Sequence, residues 1–342
     1  MYKRQTQGRS PQILGRLRQS LRVSVLVAIC AALPVAATVS QAQDTAATSP
    51  ELVVTLLGTG TPSADLRRAG FANLVQAGGT TLLFDAGRNV VTRLQQMDLA
   101  IGAVDAVFIT HFHSDHVNGL DDILMSGYLT GPIGGRKGPL GLYGPPGVAA
   151  LAEGIRTAHQ GDITTRMADE GVDEAATHFD VHEAAPGVVF DADGVKVTMF
   201  PVNHGELIDP SVGYRVDYAG KSVTFSSDTK FDPAVIEAGR GTDLLVHSVG
   251  TAPDQMLDLP FVRRILNHHS SPQDVGRVFS EAAPKIGVLS HVVRLENPKF
   301  DRVRMSDIVT RVRETYDGPM IVAEDLMQFR IADNVSVLMA DQ

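Results

Sequence analysis

Residues 110–116 read Thr110-His111-Phe112-His113-Ser114-Asp115-His116, three imidazoles and a carboxylate in a six-residue window that directly follows an apolar run. Imidazole nitrogen and carboxylate oxygen are the ligands that divalent transition metals take. In an extended segment alternate residues point the same way, so His111 and His113 can face one ion. Asp115 and His116 then sit where the chain turns into a helix and can face a second ion beside the first. A single histidine is usually a satisfied core or surface residue, but a cluster this dense at a strand end is the mark of a metal site.

Four side chains do not saturate two ions, so further ligands must come from downstream strand ends that face the same side. The sequence offers His204 after the run Val195–Phe200, Asp228 after Ser222–Ser226, and His291 after Ile286–Leu289. Two cations about 3.5–4 Å apart are commonly bridged by a carboxylate, and Asp228 is the residue placed for that role.

The elements that must carry these residues alternate along the chain. Leu52–Leu57 and Thr80–Phe84 read as buried strands, the first closed by Gly58-Thr59-Gly60-Thr61-Pro62 and the second by Asp85-Ala86-Gly87. Val104–Ile109 is a third strand, and the metal cluster after it runs into a helix through Leu120, Ile123 and Leu124. Gly131–Gly147 is rich in glycine and proline around a short strand, Leu140–Tyr143. Strands follow at Val195–Phe200, Gly213–Tyr218, Ser222–Ser226 and Leu244–His247. Ser271 and Pro272 have the chemistry of an N-cap and first helical residue, with Val275, Val278, Phe279 and Ala282 at helical spacing behind them. Met305, Ile308, Val309 and Val312 repeat that spacing. Strands and helices in each half suggest two sheets with helices outside, an α/β fold.

The chain has 342 residues, 44% hydrophobic and 20% charged, which excludes disordered and collagen-like classes. Residues 1–42 hold six basic side chains, no acid, and an apolar run Val23–Val39 ending near Ser40-Gln41-Ala42. This reads as a signal peptide cleaved after Ala42 and not a membrane span, because the run contains Pro34 and falls short of the roughly 20 apolar residues a span needs. Residues 43–50 would be a linker and 51–342 a single catalytic domain, periplasmic or secreted. Removing six basic residues from a chain of net charge -9 leaves -15. That charge argues against nucleic acid as a partner, although a local basic patch could overcome it, and the small-molecule ester substrate expected instead rests on the metal chemistry. Cys30 lies within the leader, so the mature chain has no cysteine and gains nothing from disulfides. The composition leaves room for a homodimer.

The H-x-H-x-D-H pattern from His111 to His116 resembles the metallo-β-lactamase superfamily. Leu57 to Pro62, Asp85-Ala86-Gly87 and Tyr143-Gly144-Pro145-Pro146-Gly147 resemble its ribonuclease Z and arylsulfatase-like branch, over about residues 51–331. The resemblance implies a four-layer αβ/βα sandwich. It implies one metal on His111, His113 and His204, the other on Asp115, His116 and His291, and Asp228 between them. It also points to His269, in His269-Ser270-Ser271-Pro272, as a catalytic residue. At one place the chain departs from the branch: His247 is followed by Ser248, where the ribonucleases have a glutamate that orients the catalytic histidine.

Two adjacent divalent cations acidify a shared water and polarise the ester under attack, so the expected activity is hydrolysis of a phosphodiester or sulfate ester. Asp115 would act as base or orient the water, and His269 would give a proton to the leaving oxygen or steady its charge. Asp85, and His247 through its place in the motif, are expected behind the ligands. Two zinc ions suit five imidazoles and two carboxylates, and manganese or iron would accept the same set. Three alternatives stay open: a β-lactamase or lactonase, a ribonuclease Z-type endonuclease, and a metal- or ligand-binding protein without turnover. His159, His178 and His182 read as surface residues, and Glu206 and Asp209 either line the mouth of the site or are solvated.

Overall fold

The computed structural model describes residues 50–339. The expected signal peptide, 1–42, and the linker up to residue 49 lie outside the described residues. No described helix is long and apolar enough to cross a membrane.

One sheet has eight strands, in the order β15-β14-β1-β2-β3-β4-β5-β6. They are β1 (Leu52–Gly58), β2 (Ala72–Ala77), β3 (Thr80–Phe84), β4 (Ala106–Phe108), β5 (Leu140–Gly144), β6 (Phe179–Glu183), β14 (Met327–Ile331) and β15 (Val335–Leu338). The second sheet runs β13-β12-β11-β10-β9-β8-β7. It holds β7 (Gly187–Ala192), β8 (Val195–Pro201), β9 (Val212–Tyr218), β10 (Lys221–Phe225), β11 (Leu244–Thr251), β12 (Ile286–Arg294) and β13 (Met320–Val322).

The two sheets face one another across a core that includes Leu52, Val54 and Leu56 from the first and Val223, Phe225, Leu244 and Val246 from the second. Because each sheet also carries helices on its outer face, its central strands are buried on both sides and read as continuous apolar runs. Helices α1 (Val90–Gln96), α2 (Ser114–Val117), α3 (Leu120–Gly127) and α4 (Val148–Ala158) follow strands of the first sheet, and their apolar residues join Leu57, Leu74 and Leu83. After α5 (Gln160–Asp169), helices α6 (Pro233–Gly239), α8 (Pro272–Ala282) and α9 (Met305–Arg313) cover the second sheet through Val235, Val278, Phe279 and Ile308. A short α7 (Pro260–Leu266) precedes His268 and His269. This is the four-layer sandwich expected. At α8 the Ser271 hydroxyl accepts from the Asp274 N–H at 3.1 Å and Pro272 opens the helix, as the sequence implies.

Two departures from expectation bear on the site. The single helix expected after the metal cluster is two, α2 and α3, parted at Asn118-Gly119. Gly119 donates its N–H to the Ala86 carbonyl at 2.7 Å, and a Cβ there would lie 2.5 Å from the Gly87 oxygen, so the chain must break to pass this crossing. Second, His291 does not follow a strand but lies inside β12, at a bulge opposite Ser248 and Val249. Its φ of +43° turns it out of the ladder, a conformation that costs a non-glycine residue about 1–3 kcal/mol.

Gly87 sits where three backbones meet. A Cβ at this position would stand 2.2 Å from the Asp115 carbonyl oxygen and 2.3 Å from the Gly70 carbonyl carbon. Gly87→Ala is expected to cost about 3 kcal/mol of stability, since backbone cannot yield as a side chain tip does. Urea unfolding of the two proteins measures it, and equal midpoints would contradict the crossing.

Candidate active site

The site forms where the segments that follow β4, β8 and β10 meet the bulge within β12. Beyond β4 the backbone is held by Asp85, whose carboxylate accepts from the Thr110 N–H at 2.8 Å and the Thr110 hydroxyl at 2.9 Å. The Tyr214 hydroxyl donates to the Ile109 carbonyl at 2.8 Å. These bonds fix the extended stretch that carries His111 and His113, while Asp115 and His116 fall on the single turn of α2.

His111, Asp115, His116, His204, Asp228 and His291 are each no more than 2% exposed. Their rings converge: His111 lies 4.2 Å from His116, 4.7 Å from His113 and 4.8 Å from His204, centroid to centroid. Ligand atoms of His111, His113, His204 and Asp228 all fall within 4.8 Å of one another, and so do those of Asp115, His116 and His291. Asp228 stands between the two groups, 3.7 Å from His204 Nε2, 3.7 Å from His116 Nε2 and 3.1 Å from His291 Nδ1.

These spacings are those of ligand atoms around a cation, although the shorter ones also suit hydrogen bonds. His111 Nε2 and His113 Nδ1 are 3.0 Å apart, His204 Nε2 and His113 Nδ1 3.3 Å, and His116 Nε2 and Asp115 Oδ2 3.6 Å. A tetrahedron with ligand bonds near 2.1 Å has edges of about 3.4 Å. Asp115 Oδ1, His116 Nε2, Asp228 Oδ1 and His291 Nδ1 are buried with no hydrogen-bond partner, although burying such groups unpaired is costly. The outward nitrogens, by contrast, are occupied. His116 Nδ1 faces the Asp85 carboxylate at 2.8 Å, His204 Nδ1–H donates to the His268 carbonyl at 2.8 Å, and His111 Nδ1 meets the Thr110 hydroxyl at 3.0 Å. Held this way, the Nε2 lone pairs of these three residues aim inward. The residues present therefore fit two divalent cations, with imidazole-rich ligation that suits zinc.

Electrostatics in the metal-free chain agree. Burial penalises the His116 imidazolium, but the Asp85 and Asp228 carboxylates outweigh it and hold its pKa well above the usual value. Burial favours a neutral Asp228, but His291, His116 and His269 outweigh it and hold the carboxyl well below the carboxylate range. Burial, joined at His111 by the neighbouring His116, pushes His111 well below the usual histidine value and His204 down to about 4, and Asp228 offsets it only in part. His111 and His204 are thus neutral beside the ionised Asp228, while His116 holds a proton that an entering cation must displace.

His269 stands beside this cluster, its Nδ1 4.0 Å from Asp228 Oδ2 and its ring 5.2 Å from His204. Burial lowers its pKa to about 4. His247 lies elsewhere: its ring packs 6.2 Å from Phe279 under α8, and among the described residues the ring's one hydrogen bond is from Nδ1–H to the Ser248 carbonyl at 2.6 Å, so it bonds to none of the ligands. Fully buried, it too is pushed down to about 4. The unfolded chain protonates this histidine near 6.5 while the folded chain refuses the proton until about 4. More protons are bound unfolded between those values, so stability is lost as pH falls through the window, by about 3 kcal/mol for this residue. Metal-free His247→Leu is expected to lose that share of the pH dependence in denaturant melts at pH 7 and 4.5.

Several residues of the site carried no signal in the sequence. Phe71, 3% exposed, packs its ring 5.1 Å from His116 and 5.3 Å from His291 and closes the cluster from one side. Asp325 ties down the wall of the cleft: Oδ1 accepts from the Thr59 N–H at 2.9 Å, and Oδ2 accepts from the Ala69 N–H at 2.6 Å and from Arg93 at 2.8 Å. The cleft, roughly 1470 Å³, is lined by His113, Asp228, His268, His269 and His291, by the loop from Thr59 to Arg68, and by the end of β12. Glu206 and Asp209 do not line it. His159 pairs with Asp121 and His182 with Asp180, away from the cluster.

A family model described as anti-Pycsar protein Apyc1 matches residues 52–256. A ribonuclease Z of Mycobacterium sp. (strain KMS) is 33% identical over 290 residues, 83% of this chain and 98% of the relative. The metallo-β-lactamase fold protein YhfI of Bacillus subtilis superposes with a TM-score of 0.63 at 16% identity, over 82% of this chain and all of that one. The chain belongs to the metallo-β-lactamase superfamily. Within the superfamily it stands with the ribonuclease Z-like metal-dependent hydrolases, as residues 57–62, 85–87 and 143–147 imply. The human short-form tRNase Z shares the fold, with a TM-score of 0.59 at 23% identity over 81% of this chain and 98% of that one.

Proposed function

We propose that this metallo-β-lactamase-fold hydrolase is a two-metal phosphodiesterase of the ribonuclease Z type. The observation that carries the reading is the pair of ligand groups with Asp228 between them, lining an open cleft. His111, His113 and His204 would hold one cation, Asp115, His116 and His291 the other, with Asp228 between. When bound, such a pair supplies an acidified water and a positive field on the ester oxygens. Asp115 is held by His291 at 2.9 Å through one oxygen, which leaves Oδ1 to orient the water or take its proton. With a pKa of about 4, His269 is neutral at pH 7, so it acts by directing an N–H at the leaving oxygen and not by carrying a ready proton.

The names of the curated relatives speak for an RNA phosphodiester over the small ester expected from the sequence, and nothing in them speaks for a sulfate ester. A small phosphodiester remains a second reading on one observation. Of the five arginines lining the cleft, Arg67 faces Asp65, Arg93 faces Asp325, and Arg294 and Arg302 face Glu296. Arg68, which donates to the Thr59 hydroxyl and the Ala323 carbonyl, is the one without a carboxylate partner among the described residues, so little free charge is left to follow a phosphate chain. Export belongs to the proposal and is tested by N-terminal sequencing of the chain recovered from the periplasm.

The deciding experiment compares hydrolysis of a short RNA, bis-p-nitrophenyl phosphate and p-nitrophenyl sulfate by the zinc-loaded chain, with His113→Ala as control. RNA cleavage that the control abolishes supports the first reading, and turnover of the small diester alone supports the second. Turnover of the sulfate alone would falsify both.

A further inference from the structure

The residue before Asp228 is strained and doubly held. Ser227 has a φ of +59°, in the left-handed region, which costs a residue with a Cβ about 1–2 kcal/mol. Its carbonyl oxygen accepts two hydroxyl hydrogen bonds, from Ser226 Oγ at 2.7 Å and from Ser248 Oγ at 2.9 Å. The Ser248 N–H in turn donates to Ser226 Oγ at 3.3 Å, which closes a ring of three groups across β10 and β11. Ser226 and Ser248 are at most 3% exposed, so water does not compete for these bonds.

The Ser227 carbonyl and the Asp228 N–H belong to one planar peptide. Fixing the carbonyl therefore fixes the plane from which the Asp228 carboxylate projects. The far side of the turn is tied as well: the Thr229 carbonyl accepts from the Ser270 N–H at 2.8 Å, and the Thr229 hydroxyl donates to the Asn203 carbonyl at 3.2 Å. Asp228 is thus suspended between the segment that bears His204, the segment that bears His269, and Ser248. Ser248 itself makes no hydrogen bond to His269, whose Nδ1 is buried without a partner.

We propose that Ser248 is a positioning residue for Asp228. It acts through the Ser227 carbonyl on the carboxylate between the two ligand groups, and it does not orient His269 as a glutamate at this position would. The inference rests on the two-metal reading of the site. Loss of a group that supports a ligand lowers metal affinity by about 10- to 100-fold.

The test uses the full chain, its Ser248→Ala, Ser248→Thr, Ser226→Ala and His269→Ala variants, zinc affinity by competition with a chromophoric chelator, and the visible spectrum of the cobalt(II)-loaded protein. Ser248→Ala is expected to weaken binding of the second zinc ion about 10- to 100-fold and to alter the cobalt spectrum. Ser248→Thr, which keeps the hydroxyl, restores both, and His269→Ala changes neither. Ser226→Ala removes the other donor to the same carbonyl, so its affinity and spectrum decide the matter should Ser248→Ala not fold. Wild-type affinity and spectrum in a folded Ser248→Ala, or failure of a folded Ser248→Thr to restore them, overturns the assignment. A wild-type chain that takes up no metal overturns the two-metal reading itself.

Discussion

Asp228→Ala is expected to abolish turnover, by roughly a thousandfold or more, and to leave the purified chain with fewer than two bound metal ions. The carboxylate stands between both ligand groups, within 3.7 Å of His116, His204 and His291, so its loss weakens both cation sites together. Charge stabilisation of that kind lowers the reaction barrier by several kcal/mol, and each 1.4 kcal/mol is about tenfold in rate. In the metal-free chain the same change removes a partner of the buried, protonated His116, and breaking a buried pair costs about 3–5 kcal/mol. Metal analysis beside a kinetic assay separates the two effects. An Asp228→Ala protein that keeps two ions and its rate would show that the groups do not work as a unit.

His269→Ala should behave differently. Its Nδ1 is 4.0 Å from the nearest Asp228 oxygen and its ring stacks 6.1 Å from His291. It overhangs the cluster and faces the cleft. Loss of one oriented hydrogen-bond donor at a developing negative charge costs about 10²- to 10³-fold in kcat. Metal content should stay at the wild-type level. A loss of metal as well as rate would make His269 a ligand, through its grouping with Asp228 and His291. A substrate whose leaving group needs no help, such as p-nitrophenolate, should show a smaller loss than an alkoxide leaving group, because the histidine acts on the departing oxygen.

How far the sequence leads can be judged residue by residue. The cluster from His111 to His116 is legible because its chemistry is compressed into one segment, where spacing alone puts alternate side chains on one side. His204 and Asp228 are legible as polar residues just past apolar strands. His291 is legible in identity but not in geometry: the bulge that turns it out of β12 depends on Ser248 and Val249 in the neighbouring strand, and no periodicity within 286–294 encodes a partner's register. Strands β2, β6, β7 and β13–β15 escape notice because their residues are mixed in polarity or the strands are short, and their pairing is decided by the sheet they join. Asp325 and Phe71 matter only through contacts with residues far off in the chain, and nothing around either marks it. Serine at position 248 reads as a loss when compared with glutamate. In the structure the same hydroxyl has other work, at a carbonyl 21 residues away.

The pairing of β1 with β14 has a consequence for how the molecule comes into being. Thr55 lies opposite Gln328, and the Thr59 N–H waits for Asp325, a separation of 266 residues. Every candidate metal ligand has left the ribosome well before either partner does. A chain halted between His291 and Asp325 would carry its whole set of ligands, yet β1 would have an unpaired edge and the loop that walls the cleft would be untethered. Contacts of such long range form late. The candidate ligands are thus complete in the chain earlier in synthesis than the wall of the cleft, which waits for β14.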